Sequence, residues 1–302
     1  MSVPGIKIAI VGYGNVGRGA VDAVQTSSDM TLVGVVEPDR SQVQAGMPEG
    51  TPVVDDIRQL GTIDAAIMCL RSRMVYEHAR SVLEMGVSTI DCFDVHGAEL
   101  LAMKRGFHEI CLRTGARAIT GAGWDPGTDS VIRSIMLAMT PRGLTSTTFG
   151  PGISMGHTAA VKSLPGVRDA LSLTIPVGSG VHRRQVYVEL EDRAQEEEIR
   201  TVIRNDPYFM NDETTVDVVE DVTPLVDHGH GARIERVGVA GKTHNQHMRY
   251  VVRCTNPALT GQVMVAAARA AMKMAPGAYT LIEIPPVFML DMDTDEAVSR
   301  LV

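Results

Sequence analysis

The stretch Ile6-Lys7-Ile8-Ala9-Ile10-Val11-Gly12-Tyr13-Gly14-Asn15-Val16-Gly17 decides how the rest of the chain reads. Its first six residues are mostly apolar and β-branched, as in a buried strand. The glycines that follow fit G-x-G-x-x-G in the context that makes the pattern specific, directly after a strand and opening a helix, here 18–25. The first glycine makes the tight turn, the second lets the backbone approach a pyrophosphate, and the third lets helix pack on strand, while the helix N-terminus stabilises phosphate charge. A second strand at 32–36 completes a β-α-β unit, which demands a parallel sheet. Glu37 stands 20 residues beyond Gly17, where an acid accepts hydrogen bonds from a ribose 2′-hydroxyl. On that rule alone the cofactor is NAD. Glu37 and Asp39 repel a 2′-phosphate, although Arg40 can swing in as its partner. Gly12, Tyr13, Gly14, Asn15, Val16, Gly17, Glu37 and Arg40 are the expected cofactor contacts.

Further strands are expected at 65–70, 88–91 and 116–120, alternating with helices at 74–85 and 98–114, so residues 1–120 read as a doubly wound dinucleotide-binding domain of Rossmann type. Leu70, Arg71 and Ser72 follow one strand and Cys92, Phe93 and Asp94 follow the next. Both groups fall at the carboxyl edge of the sheet, facing the dinucleotide and its nicotinamide. From 121 the texture changes. A Gly/Pro-punctuated segment and a helix at 129–139 lead into period-2 strands at 145–149, 170–175, 185–191, 214–219, 232–240 and 248–254. Residues 121–256 are expected to form an α+β substrate-binding and dimerisation domain with an open mixed sheet. In 257–302 an alanine-rich helix, 259–274, and a strand, 279–284, are expected to pack back on the first domain.

With 28 Lys and Arg against 36 Asp and Glu, the net charge is 28 − 36 = −8, and no basic block interrupts the chain. This argues against nucleic acid and anionic membrane surfaces as partners. Hydrophobic residues at 44% and charged residues at 21% suit a globular chain with a large core. Cys69, Cys92, Cys111 and Cys254 are scattered, no basic leader or apolar leader segment opens the chain, and the apolar run 263–274 is too short for a span of about 20 residues, so a cytoplasmic setting is expected. His228, His230, His244 and His247 have spacings that can bind zinc, but the segment reads as strand and turn with no convergent cysteines, and no metal is expected.

A third polar cluster, 121–127, holds the single tryptophan. Carboxylates at strand ends beside an aromatic plane suit a cationic amine, the ammonium pairing with charge and its carbon stem packing on the ring; the alternative is that Asp91 caps a helix and Trp124 fills a core. In order along the chain, VGYGNVGR (11–18), DCFDVHG (91–97), GWDPGTDS (123–130), FGPGISMGH (149–157), VKSLPGVRDALSLTIP (161–176), VHRRQVYVEL (181–190), DPYF (206–209), DETTV (212–216), GHG (229–231), THNQ (243–246), NPALTGQVMVAA (256–267) and YTLIEIP (279–285) resemble the meso-diaminopimelate D-dehydrogenase family, in particular its shorter branch, which acts more loosely on D-amino acids.

The resemblance implies a homodimer catalysing NADP-linked, reversible oxidative deamination at the D-centre of meso-2,6-diaminopimelate, giving L-2-amino-6-oxopimelate and ammonia. Carried over by position, Asp94, Trp124 and Asp125 surround the reacting centre, with Asp94 or Asp125 relaying a proton. Phe149, Met155 and Gly156 form the substrate wall and loop, and Thr174, Arg184, His230 and Asn256 grip the distal L-centre and its carboxylate. One departure stands out. Where NADP-using members carry basic residues, often an Arg pair, this chain has Glu37-Pro38-Asp39-Arg40, so NADP is the family expectation and NAD is expected to be tolerated or preferred. Two alternatives remain at this level: a related enzyme acting on another D-amino or 2-keto acid, and a dinucleotide-binding sensor without turnover.

Overall fold

The computed structural model describes residues 5–43, 47–94, 97–178, 181–225 and 229–302, with only the backbone of Arg40 and Gln42. They form two compact units, Met1–Ser134 with Asn256–Val302, and Ile135–Thr255.

The first unit is built on seven parallel strands: β1 (Ile6–Val11), β2 (Met30–Val36), β3 (Val53–Val54), β4 (Ala65–Met68), β5 (Ser88–Asp91), β6 (Arg117–Ile119) and the late strand β14 (Gly277–Tyr279), in the order β14-β6-β5-β4-β1-β2-β3. β1 is flanked by β2 and β4, so the strand order reverses there and a crevice opens at their carboxyl ends. The strands are apolar on both sides because both faces are covered. Ile8, Ile10, Ile67 and Ile90 pack with α1 (Asn15–Gln25) and α7 (Asn256–Ala271), whereas Ala9, Val11, Ala66 and Met68 pack with α2 (Ser72–Glu84) and α3 (Ala98–Thr114).

Helix α7 lies against α1 through paired glycines. A Cβ on Gly19 would come within 2.8 Å of the Pro257 carbonyl oxygen, and one on Gly261 within 2.5 Å of the Ala20 nitrogen. Buried Arg269 closes the same contact, donating to both oxygens of Asp29 at 2.6 and 2.7 Å and to the Met289 carbonyl at 3.0 Å. Burial pushes the Asp29 carboxyl up, but the hydrogen bonds and charge of Arg269 outweigh it and hold the group below the usual carboxylate range.

The expected strand 279–284 is shorter and earlier. It ends at Tyr279, because Thr280 and Glu283 form a capping box, with the Thr280 N–H donating to Glu283 at 2.8 Å, that turns Leu281–Glu283 into a 3-10 helix. The sequence reading places the first domain boundary at 120; the compact units part inside α4 (Thr128–Met139), because loop 121–127 is bonded to the end of β5.

The second unit carries two sheets where one open mixed sheet was expected. β8 (Gly152–Ile153), β9 (Val167–Gly178), β10 (Val181–Leu190) and β11 (Glu213–Val218) form a mixed sheet in the order β11-β10-β9-β8, with α5 (Met155–Lys162) between β8 and β9. β10 and β11 are parallel because α6 (Glu196–Asn205) carries the chain back between them, burying Ile199 and Ile203 against Val186, Val188 and Val216. β7 (Arg142–Phe149), β12 (His230–Ala240) and β13 (Thr243–Cys254) form a separate antiparallel sheet whose one face leaves Leu144, Val237 and Val251 exposed.

Candidate functional site

The glycine loop is shaped by backbone clashes that only glycine avoids. Gly12 has φ +93°, and a Cβ there would meet the Cys69 carbonyl oxygen at 2.5 Å; a Cβ on Gly17 would meet the Gly12 carbonyl oxygen at 2.1 Å. Gly14 is different. A Cβ on it would meet nothing within 4 Å, and it caps α1 with no side-chain hydrogen bond to the helix N-terminus. An open approach to an uncapped helix start fits a pyrophosphate, so the residues suit a dinucleotide.

Tyr13 is buried, with the Arg18 guanidinium 5.6 Å from its ring centroid, and its N–H donates to Glu37 at 2.9 Å. The other Glu37 oxygen accepts from the Asp39 N–H at 3.0 Å. Glu37 is therefore pinned beside the glycine loop by two backbone amides. Asn15 and Val16 open α1, and Arg40 opens the 3-10 helix Arg40–Val43. Leu70 and Arg71 bring the chain from β4 into α2, and the Ser72 hydroxyl bonds the Asp94 carboxylate. Cys92 carries a thiol pushed up to about 12 by burial and by the charges of Asp91 and Asp94, which makes it inert. Val95 and His96, in the same cluster, lie outside the described residues.

Asp91 is a buried tie. One oxygen accepts from the Phe93 N–H at 3.0 Å, the Thr120 hydroxyl at 3.0 Å and the Gly121 N–H at 3.1 Å, joining the loops after β5 and β6. Burial raises it to about 6, against those hydrogen bonds. Asp94, by contrast, is exposed. Trp124 is buried, and its indole N–H donates to the Asn256 side-chain oxygen at 2.9 Å, which also accepts from the Thr260 hydroxyl at 2.8 Å. Asp125 receives a bidentate fork from Arg133 at 2.8 and 2.7 Å. The first unit thus brings Trp124 and Asn256 together, with Asp125 the next residue and Asp94 at the end of the neighbouring loop.

The second unit holds the remaining residues. In the β9–β10 ladder Thr174 and Arg184 are register partners, and their side chains are hydrogen-bonded. Arg184 Nε also donates to Asp212 at 2.6 Å. The guanidinium is therefore held in one orientation. Phe149 ends β7, its N–H donating to His182 Nε2 at 3.1 Å. Met155 and Gly156 open α5 beside Ser154, whose hydroxyl lies 2.7 Å from His157 Nδ1, while His157 Nε2 lies 2.8 Å from the Tyr208 carbonyl. His230 opens β12. Burial lowers His157, His182 and His230, with Arg184 adding to the effect on the first two, so all three imidazoles are neutral near pH 7.

Among the described residues no group of three or more His, Cys, Asp or Glu side chains gathers as metal ligands. His247 lies 3.6 Å from Glu235, and His228 is outside the described residues. Arg133, Asp129, Asp212, His157 and His182 were missed by the sequence reading. The four-residue spacing of Asp125, Asp129 and Arg133 was a usable signal; nothing local marks Asp212, which reaches Arg184 only through the parallel pairing of β10 and β11.

Residues 6–91 match the model of the oxidoreductase family, NAD-binding Rossmann fold, and residues 123–183 match the diaminopimelic acid dehydrogenase C-terminal domain. The chain is 45% identical to the meso-diaminopimelate D-dehydrogenase of Bacteroides fragilis, over 98% of this chain and 99% of that one. Among solved structures it is similar to C. glutamicum DAP dehydrogenase in complex with DAP, with a TM-score of 0.86 and 28% identity over 99% of this chain and 100% of that one. It is also similar to an engineered D-amino acid dehydrogenase bound to NADP+, with a TM-score of 0.81, 28% identity and the same coverage.

The two inner glycines separate fold from binding. Gly17→Ala is expected to lower the melting temperature, because its Cβ collides with backbone. Gly14→Ala should leave stability within about 1 kcal/mol yet weaken reduced-nicotinamide binding about tenfold or more, read by fluorescence titration. Equal losses of stability in both variants would contradict this division.

Proposed function

The chain belongs to the meso-diaminopimelate D-dehydrogenase family, and on that premise we propose how its own residues carry the reaction. The chain is an oxidoreductase for the reversible, nicotinamide-linked oxidative deamination of the D-centre of meso-2,6-diaminopimelate to L-2-amino-6-oxopimelate and ammonia. The observation that carries the proposal for the residues is the fixed guanidinium fork of Arg184 within the second unit; within the first unit, Asp94, Trp124 and Asp125 supply the groups that suit an amine.

A nicotinamide dinucleotide held at the glycine loop Gly12–Gly17 would supply the acceptor for the hydride of the D-carbon. Asp125, oriented by Arg133 before substrate arrives, holds the reacting ammonium beside Trp124. Asp94 is exposed and bonded to Ser72, so it takes the proton that the ammonium must lose and passes it to solvent. It then takes a proton from the water that adds to the iminium carbon and returns it to the nitrogen, which departs as ammonia while the new hydroxyl loses its proton to solvent as the carbonyl forms. Arg184, held by Asp212 and Thr174, presents its fork to the distal carboxylate, with His230 as a neutral partner and Phe149, Met155 and Gly156 as the wall. Asn256 acts through Trp124, fixing the indole plane. Binding at two charged ends selects which of the two stereocentres offers its hydrogen.

For the cofactor, Glu37 favours NAD. A pinned carboxylate accepts from a free 2′-hydroxyl and repels a 2′-phosphate. Initial rates with meso-diaminopimelate are expected to give a kcat/KM for NAD at least equal to that for NADP, and Glu37→Ser should lower the NAD-to-NADP ratio. A strong NADP preference in the unaltered chain would overturn this reading.

Asp94→Asn should lower kcat by about two orders of magnitude or more with a small change in KM. Arg184→Met should raise KM for meso-diaminopimelate far more than for a monocarboxylic D-amino acid, and Asp212→Asn should do the same more weakly. Equal losses on both substrates would remove the distal-carboxylate role.

The exposed face bearing Leu144, Val237 and Val251 supports a homodimer, and four cysteines outside any disulfide suit a reducing cytoplasm. Activity recovered from a cytosolic fraction is expected to sediment at twice the 32.5 kDa chain mass; a monomer, or activity outside that fraction, would contradict the assignment.

A further inference from the structure

Asp129, in the first turn of α4, is fully buried, and neither of its carboxylate oxygens has a hydrogen-bond partner among the described residues. Its backbone is anchored, the N–H donating to the Trp124 carbonyl at 2.8 Å. Its side chain is not. Buried carboxylates are ordinarily hydrogen-bonded or paired, and a residue serving packing alone would be better apolar. The charged groups bearing on it are Asp125, in the loop ahead of the helix, and Arg133, one turn along it. Arg133 stands four residues on, the spacing at which Asp and Arg ordinarily pair on a helix, yet both ends of its fork are bonded to Asp125, at 2.8 and 2.7 Å. Burial first, and then the charge of Asp125, push the Asp129 carboxyl up to about 7, with Arg133 opposing. Its proton therefore comes and goes in the working range.

The charge of the cluster follows from these contacts. The Asp125–Arg133 salt bridge sums to −1 + 1 = 0. With Asp129 protonated the three groups stay at zero, and with Asp129 ionised they reach −1. A cluster at zero offers a cation no net attraction, and a buried negative one does.

We infer that Asp129 is a positioning residue: by giving up its proton it draws on Arg133 and leaves Asp125 to the ammonium of the D-centre. The inference rests on the placing of Asp125 at the reacting amine. Linkage makes the effect reciprocal, so substrate that favours the ionised cluster must also expel the proton when it binds.

The test is calorimetric titration of meso-diaminopimelate into the chain loaded with reduced cofactor, a pair that cannot react, in buffers of different ionisation enthalpy. In the unaltered chain, the dissociation constant should fall about tenfold between pH 6 and 8, and binding near pH 7 should release a fraction of a proton. Asp129→Asn should release none and bind about tenfold more weakly at pH 8, with little difference at pH 6, because at that pH both side chains are neutral. The same proton release from Asp129→Asn as from the unaltered chain overturns the proposal. So does a pH-independent dissociation constant in the unaltered chain, which decides the matter even if the variant fails to fold. Failure of the underlying reading looks different: Asp125→Asn would then bind substrate as tightly as the unaltered chain.

Discussion

The close approach of α7 to α1 is the constraint on which the first unit depends. Two glycines remove the side chains that would hold the helices apart, and the backbone of one helix then lies almost on that of the other. The contact is between segments some 240 residues apart in sequence, as the Arg269–Asp29 separation shows. Such closure loses chain entropy, which compact apolar packing of Val263, Met264, Ala267 and Ala271 on the sheet must offset. Arg269 adds specificity: a buried guanidinium with both carboxylate oxygens and a carbonyl satisfied locks the register of the helix, although such pairs add little net stability. Because α7 is fixed along its length, its first residue is fixed too. Asn256 therefore meets the indole of Trp124, and a packing decision between two helices becomes the orientation of that aromatic ring.

Four aspartates show how environment divides one chemistry into several roles. Asp91, with three donors on one oxygen, ties two loops together, while its other oxygen is buried without a hydrogen-bond partner among the described residues. Asp94 is exposed beyond the end of β5 with a serine hydroxyl bonded to it. Asp125 is buried but charge-balanced by a bidentate arginine. Asp129 is buried with no donor on either oxygen among the described residues, and its carboxyl is pushed up to about 7, further than the about 6 of Asp91. No difference in side-chain chemistry separates them; the number of donors and the depth of burial do.

Local signals carried the first unit. The alternation of apolar strands with amphipathic helices and the glycine spacing are short-range properties, and by themselves they place Gly12, Gly14, Gly17 and Glu37 correctly beside one another. The second unit was less legible. Period-2 patterning identifies strands but not partners, so the division into a mixed sheet and a separate antiparallel sheet could not be read from it. The 279–284 run misled because its apolar residues look like a strand, while the reciprocal Thr280–Glu283 hydrogen bonds that end the strand are a capping signature hidden inside it. Of the candidate site, the proposed contact residues were named from residue type and family position, whereas the residues that hydrogen-bond and orient them were not. Asp212 acts across the pairing of β10 and β11 and His182 across the gap between two sheets, and both are set by tertiary contacts that no local window contains.

The same division explains how selectivity can be built. A substrate with two equivalent ends, each an amine and a carboxylate on one carbon, cannot be oriented by charge at one end alone, since either end would fit. Orientation requires two anchors of unlike chemistry. Taken by itself, the first unit holds carboxylates beside an indole, a combination that suits an ammonium. The second offers a guanidinium whose Nε and Nη1 are already committed to Asp212 and Thr174, so the fork cannot rotate to accept a carboxylate in a different plane. A rigid fork discriminates by geometry where a mobile lysine would discriminate only by charge. On the proposed assignment, loosening that fork would broaden the range of accepted D-amino acids before it abolished turnover, because Asp125 and Trp124 are held by a separate set of contacts.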